Sequence, residues 1–424
     1  MGACSSSLES NMSSSGEITL ELVQQILKEV EKDSSVSFLR CLKVEELNEG
    51  MHAGSSLRRV TVKYTRGGDT SQHSLSLIVK APTSDTSDIN ALQLSTLFPR
   101  EIHMFSEILP RMSALLKRAL PDRHEEFAAK GYYTRKTPSY LLAFEDLSPK
   151  GFKPPKRKEG LDLRHSSLAI KALARFHAAS VMIRREDKNL FTVFDKYYLQ
   201  EKVKTENDKQ APLEFISAVV HLMKSRKEFD PSWAHRLQKR YETLLEDLER
   251  LRERDDGRFN VLIHGDFAIH NVMYRHSESS GEVESFMMVD FQTCSYSSPA
   301  LDLHHFIIVS ANDDVRANHI DTLLREYHAE LATTLKALGA PTELIISLPQ
   351  LLEEFDRMMP LGLFCATCLL PILTFDIDKT SAVTAEHMSD ENRETLEKFR
   401  PMITEDFLKT LKIILPIFIQ KKVL

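Results

Sequence analysis

From about Leu161 onward the chain reads as helix, with one interruption, and that interruption constrains it most. Three short apolar, strand-like segments cluster at Val261–Ile263, Asn271–Tyr274 and Phe286–Phe291, with Gly281 marking the turn between the last two. They carry His264-Gly265-Asp266-Phe267-Ala268-Ile269-His270-Asn271 and then Val289-Asp290-Phe291-Gln292. A lone His-x-Asp is common and says little. An Asp, an Asn five residues on, and a second Asp at the end of a later apolar strand is a far more restrictive set.

That set is what phosphoryl transfer from MgATP requires. One carboxylate, Asp266, orients and deprotonates an acceptor hydroxyl; the amide oxygen of Asn271 and the carboxylate of Asp290 hold magnesium against the phosphates. The same chemistry needs a basic group on the phosphates and an acid to position it. Upstream, Ile78-Val79-Lys80 closes a strand-like segment, and Glu101 lies on the helix-patterned segment that follows. Between two earlier strands, Gly50-Met51-His52-Ala53-Gly54-Ser55-Ser56 stands where a phosphate-covering loop belongs. It has two glycines and no GxGxxG; Gly54 and Ser55 are its candidate backbone donors. Leu142-Ala143-Phe144-Glu145-Asp146-Leu147 offers backbone at Glu145 and Leu147 to adenine. Taken singly, Lys80 reads as a strand-edge lysine, Glu101 as a solvated helix residue and Asp266 as a turn residue. Their joint order and spacing read as a nucleotide site.

The rest of the chain fits an α+β protein. Residues 1–16 are serine-rich and read as an unstructured tail. Residues 17–147 read as an N-terminal ATP-binding unit: a helix from Glu17, strands at Val36–Val44, Leu57–Tyr64 and Leu75–Ala81, a helix over Arg100–Leu120, and strands near Gly131–Arg135 and Tyr140–Glu145. Residues 148–160, rich in Lys, Pro and Gly, read as a linker opening a mainly helical catalytic and substrate-binding unit over 148–424. With 42% hydrophobic and 27% charged residues across 424, general disorder is excluded. Fifty-five basic against 61 acidic side chains, with no basic block, speak against nucleic acid as a partner. Cys365 and Cys368 form a CxxC inside an apolar run and read as buried thiols of a reducing, cytoplasmic protein. Met358–Phe375 is uncharged but reads as a core helix broken near Pro371.

Only eight residues separate Asp290 from Pro299, with Ser298 reading as an N-cap and Pro299 as the first helical residue. That leaves no activation segment for a peptide to dock on. The many helices around the patch suit a bulky, partly apolar acceptor carrying a hydroxyl. Asp302, one turn into the next helix, is expected to accept hydrogen bonds from the catalytic loop. His264 reads as bracing that loop, and His304 and His305 as core packing. At the other end, Met1-Gly2-Ala3-Cys4-Ser5-Ser6 fits the pattern for myristoylation at Gly2, with Cys4 placed for a second acyl chain. That gives an expected membrane contact.

These residues together resemble the ecdysteroid-kinase-like, or CHK kinase-like, proteins of insects, distant relatives of choline kinases and aminoglycoside phosphotransferases. The resemblance rests on the Lys80, Glu101 and Asp290 segments, Phe144-Glu145-Asp146-Leu147, Leu173-Ala174-Arg175-Phe176-His177-Ala178, His264-Gly265-Asp266 through Asn271, and Asp302-Leu303. It implies a protein-kinase-like two-lobe fold and ATP- and Mg2+-dependent phosphorylation of an ecdysteroid or a hydroxylated xenobiotic. By position it implies Asp266 as base, Asn271 and Asp290 as metal ligands, and Lys80 as phosphate clamp held by Glu101. The loop Gly50–Ser56 departs from many members in lacking a Glu-Asn pair. Two other readings are a choline- or aminoglycoside-type kinase and a non-catalytic ligand-binding protein on a kinase-like fold. The presence of Lys80, Asp266 and Asp290 argues against the last.

Overall fold

Five strands of alternating or continuous apolar pattern pair antiparallel: β1 (Ser37–Glu46), β2 (Ser55–Thr65), β3 (His73–Pro82), β4 (Gly131–Arg135) and β5 (Leu141–Glu145), in the order β1-β2-β3-β5-β4. The computed structural model describes residues 18–47, 55–67, 71–83, 93–123, 126–137, 139–195, 206–373, 398–399 and 401–424. The expected tail at 1–16, Gly2, Cys4 and the loop residues Gly50 to Gly54 lie outside these.

Helix α1 (Leu20–Glu31) starts where Thr19 accepts the Leu22 N–H at 3.1 Å, a side-chain cap. It buries Leu22, Val23, Ile26 and Leu27 against Val60, Val62, Leu77, Val79, Leu141 and Ala143, one face of the sheet. Side chains alternate along a strand. Because Leu77 and Val79 face α1, Lys80 is committed to the opposite face. There runs α2 (Phe98–His103), opened by a proline in its first turn and continued by a π turn over Met104–Ile108. Contacts place the described residues of 1–113, 126–153 and Val289–Gln292 in one compact unit, and those of 114–125, 154–288 and 293–424 in a second.

The second unit is mainly helical. Asp162 caps α3 (Leu163–Glu186), accepting from the His165 N–H. Then come α4 (Pro231–Arg252), α5 (Ala300–Ser310) and α6 (Ile320–Ala337), with α6 packed along α3. The β patch forms two small antiparallel pairs: β6 (Val261–Ile263) with β9 (Ser295–Ser297), and β7 (Val272–His276) with β8 (Val283–Met288).

An N-terminal antiparallel sheet with helices, followed by a mainly helical part, is a protein-kinase-like fold. Four local features differ from expectation. The last patch strand ends at Met288, not Phe291, because Asp290 takes a left-handed conformation with φ 67° that no strand accommodates. Ser295–Ser297 is a strand that no period announced. The helix after it begins at Ala300, although the Ser298 hydroxyl does accept the Ala300 N–H. In the apolar run, the irregularity is a π turn at Cys365–Leu369, and α-helix resumes through Pro371. Among the described residues no single helix is long and apolar enough to cross a membrane.

Candidate active site

In the first unit, Lys80 Nζ lies 2.7 Å from Glu101 Oε2 and 2.7 Å from Asp290 Oδ1. All three positions follow from local structure. Lys80 sits on the face of β3 away from α1. Glu101 and Phe105 are four residues apart on one helical face, so α2 aims a carboxylate at Lys80 while Phe105 meets Phe291 edge-on at 6.0 Å. The Phe291 N–H donates to the Glu101 carboxylate. The residue beside Asp290 is thus anchored twice, which is what a strained left-handed Asp needs in order to persist. Gln292 closes the set: its amide oxygen accepts from Lys80 at 3.3 Å and its amide nitrogen donates to Asp290 Oδ2 at 3.4 Å. A glycine there would supply neither contact.

The electrostatics follow from burial. Lys80 and Glu101 are nearly free of solvent. Burial alone would strip the Lys80 proton, but the charges of Asp290 and Glu101 outweigh it and hold the ammonium well above its ordinary range. Burial pushes the Glu101 carboxyl up, against the pull of Lys80. With Glu101 ionised, one ammonium faces two carboxylates, so the cluster then carries surplus negative charge and suits a cation.

In the second unit, Asp266 is centred among imidazole and amide donors. Its Oδ2 accepts from His270 Nε2 at 3.0 Å and from Asn271 Nδ2 at 2.9 Å. Asn271 Nδ2 also donates to the Asp266 carbonyl, which orients its amide oxygen away from Asp266; no described residue donates to that oxygen. His305 Nε2 stands 3.7 Å from Asp266 Oδ1. The Asp266 side chain keeps 31% of its surface open. Burial would raise its pKa, but the His270 hydrogen bond and the fields of His305, His270 and His264 prevail and hold it well below the usual carboxylate range. It is therefore ionised at neutral pH.

Buried side chains fix the loop's backbone. Asp302 accepts the N–H groups of His264 at 2.7 Å and Gly265 at 2.9 Å. Ser180 takes the Leu262 N–H and Ser310 the Ile269 N–H, each at 2.9 Å, and Thr293 Oγ1 donates to the His264 carbonyl. Buried backbone donors are costly if left unpaired, and these polar residues inside apolar helices answer them. Gly265 is required outright: at φ 83° an added Cβ would stand 2.4 Å from the Thr293 carbonyl oxygen. Behind Asp302, His177 reaches it through Nε2 at 3.2 Å and Tyr327 through Nδ1 at 2.7 Å. Burial keeps His177 below its ordinary pKa, and thus neutral.

Of the residues singled out from sequence, Lys80, Glu101 and Asp290 come together in one unit, and Asp266, Asn271, His264 and Asp302 in the other. His264 engages through its backbone at both ends. Ser55 opens β2 and is buried; Gly54 is outside the described residues. In the segment expected to offer backbone to adenine, the Glu145 N–H goes to the Lys130 carbonyl, and the Leu147 carbonyl accepts from Lys150 and Phe152. An adenine contact there must use the remaining backbone groups. Asp146 is structural: it binds Arg59 at 2.8 Å, Ser76 at 2.6 Å and the Ser148 N–H at 3.0 Å.

One expectation is corrected. Of the two histidines read as core packing, only His304 is that, stacked on Phe355 at 3.8 Å and hydrogen-bonded to its carbonyl. His305 turns to Asp266, and its signal was available: it shares a helical face with Asp302, three residues earlier. His270 and Gln292 stand inside the same motifs, and only their neighbours in the fold reveal what they hold.

No curated protein matches the chain. The family model described as "Ecdysteroid kinase-like family" matches residues 49–340, more than half of the chain and both clusters. The family implies a kinase-like small-molecule phosphotransferase. A buried lysine held between two carboxylates, a braced His-Gly-Asp loop and this match lead to one conclusion: the chain belongs to the ecdysteroid kinase-like family.

Proposed function

We propose that the chain transfers the terminal phosphoryl group of ATP to a hydroxyl of an ecdysteroid or another lipophilic alcohol, including hydroxylated xenobiotics. The observation that carries the reading is Lys80 pinned at 2.7 Å from both Glu101 and Asp290. This is an ammonium fixed beside a carboxylate suited to a metal, and phosphoryl transfer consists largely of such positioning and charge neutralisation. Lys80 steadies the phosphates and Glu101 holds Lys80. Asp290 and the amide oxygen of Asn271 would hold Mg2+, which supplies charge neutralisation when bound; surplus negative charge and an oxygen to which no described residue donates both fit a hard cation.

Asp266 is the acceptor's base. With Oδ2 occupied by His270 and Asn271, Oδ1 is the oxygen that takes the hydroxyl proton as the acceptor oxygen bonds to phosphorus and the bond to ADP breaks. A carboxylate of lowered pKa is a weak base. It orients the hydroxyl first and takes the proton late, as suits a loose transition state. The absence of an activation segment after Asp290 and the wealth of apolar helix in the second unit favour a bulky small molecule over a peptide.

The test is mass spectrometry after incubation with MgATP and separate acceptors: ecdysteroids, plant phenols and their glycosides, and choline, with Asp266→Asn as control. Phosphate added to an ecdysteroid or phenol, and absent with the variant, is the expected result. Transfer to choline alone would overturn the acceptor class. ATP binding with no product on any acceptor would favour a ligand-binding role.

A further inference from the structure

Seven large hydrophobic side chains are exposed among the described residues, and four of them lie between residues 20 and 44: Leu20 at 42%, Leu39 at 45%, Leu42 at 44% and Val44 at 41%. β1 is an edge strand, and its pairing with β2 skips from Phe38 to Arg40 and from Cys41 to Lys43. The skipped residues are Leu39 and Leu42. Bulges commonly blunt an edge strand, but a leucine on each is costly in water and calls for a cover. Gln24 ties α1 to the start of β1, accepting the Phe38 N–H at 2.7 Å and donating to the Val36 carbonyl. Leu20 lies one turn before Gln24 on the same helical face. The exposed cations Arg40 and Lys43 alternate with the leucines, with stems long enough to let the heads stay in water while apolar surface is buried.

The segment preceding α1 carries the pattern Met1-Gly2-Ala3-Cys4-Ser5-Ser6. One myristoyl chain holds a membrane only marginally, at about 10⁴ M⁻¹, so stable attachment needs a second element. Residues 1–27 hold no Lys or Arg, so a polybasic stretch among them is not that element. We propose that Gly2 is N-myristoylated and that the apolar edge formed by Leu20, Leu39, Leu42 and Val44 is the second element, so that the first unit docks on the cytoplasmic face of a lipid bilayer. The acyl chain enters from the seventeen residues before Ile18, and the patch lies within the helix and strand that follow them. A lipophilic acceptor partitions into the same bilayer, but the docking stands independently of phosphoryl transfer.

The experiment uses the full chain co-expressed with an N-myristoyltransferase, intact mass, and sedimentation with vesicles of phosphatidylcholine and phosphatidylserine. The acylated protein should sediment. Gly2→Ala should lower the partition coefficient roughly tenfold or more, and acylated Leu39→Asp/Leu42→Asp should lower it about as far with an unchanged melting temperature. Leu20→Gln tests the patch from the helix, clear of strand pairing, and should give a smaller loss in the same direction. Wild-type binding by both patch variants would overturn the proposal, as would an intact mass lacking the acyl group. Light scattering that finds a wild-type dimer made monomeric by Leu39→Asp/Leu42→Asp would assign the edge to a second copy instead.

Discussion

Lys80 and Asp266 are both charged, and their surroundings are opposites. Lys80 is buried between two carboxylates, with Gln292 bridging. Asp266 is half-open and receives its hydrogen bonds from an amide and an imidazole, with a second imidazole nearby. In the first case opposite charge and burial define the geometry, so removing a partner strands a charge in the interior. In the second, donors aim a carboxylate whose side chain keeps 31% of its surface open, so its removal threatens chemistry more than folding. The largest expected effect tests the second half. Asp266→Asn should lose about 10²–10⁴-fold in turnover, roughly 3–5 kcal/mol of barrier, with ATP affinity and melting temperature near wild type. Wild-type turnover would remove Asp266 from the base role.

Lys80→Met tests the first half. It leaves Glu101 and Asp290 without their cation, and breaking a buried ion pair typically costs about 3–5 kcal/mol. Denaturant unfolding should register a loss of that order along with weakened nucleotide binding. Lys80→Met/Glu101→Gln should recover much of the stability and none of the binding. A Lys80→Met protein as stable as wild type would mean the cluster is a binding device with no structural share.

Much of this contrast was legible from sequence. Lys80, Glu101, Asp266, Asn271, Asp290 and Asp302 are residue types bound to spacing and to segment ends, and periodicity supplies the segments. What stayed hidden depends on backbone geometry or on three-dimensional neighbours. No period announces the left-handed turn at Asp290, which ends β8 early and swings the carboxylate to Lys80. Ser180 and Ser310 are ordinary helix residues until the loop's N–H groups arrive beside them. The two adjacent histidines of α5 read alike, yet successive helical residues diverge by about 100°, so only one of them reaches Asp266.

Those histidines sharpen the comparison through pH. Burial lowers His304 to about 4 from an ordinary 6.5, with only partial help from the Phe355 carbonyl, so the folded state prefers the neutral ring. A depressed folded-state value means that its stability contribution is complete above pH 6.5 and is lost as pH falls from 6.5 towards 4. The shift corresponds to roughly 3 kcal/mol. Thermal unfolding should therefore weaken through that window at constant ionic strength. His304→Gln, which keeps a donor for Phe355, should flatten the slope there while leaving the acid limb below pH 4, which belongs to carboxylates such as Asp302. An unchanged slope would place the titration elsewhere.

The smallest effect is expected at His270, and it separates aiming from support. Asp266 Oδ2 has two donors, so losing one should leave the carboxylate in place but freer to rotate. His270→Ala should then lower kcat by about tenfold, some 1.4 kcal/mol, with KM for ATP unchanged, because the fault lies in the angle at which Oδ1 meets the acceptor hydroxyl. His270→Gln, whose amide reaches about as far as Nε2, should restore most of the rate. A structural role predicts another pattern: a lower melting temperature, kcat and KM moving together, and no rescue by Gln. If His270→Ala changes neither rate nor stability, Asn271 alone aims Asp266, and the imidazole surroundings reduce to the field of His305.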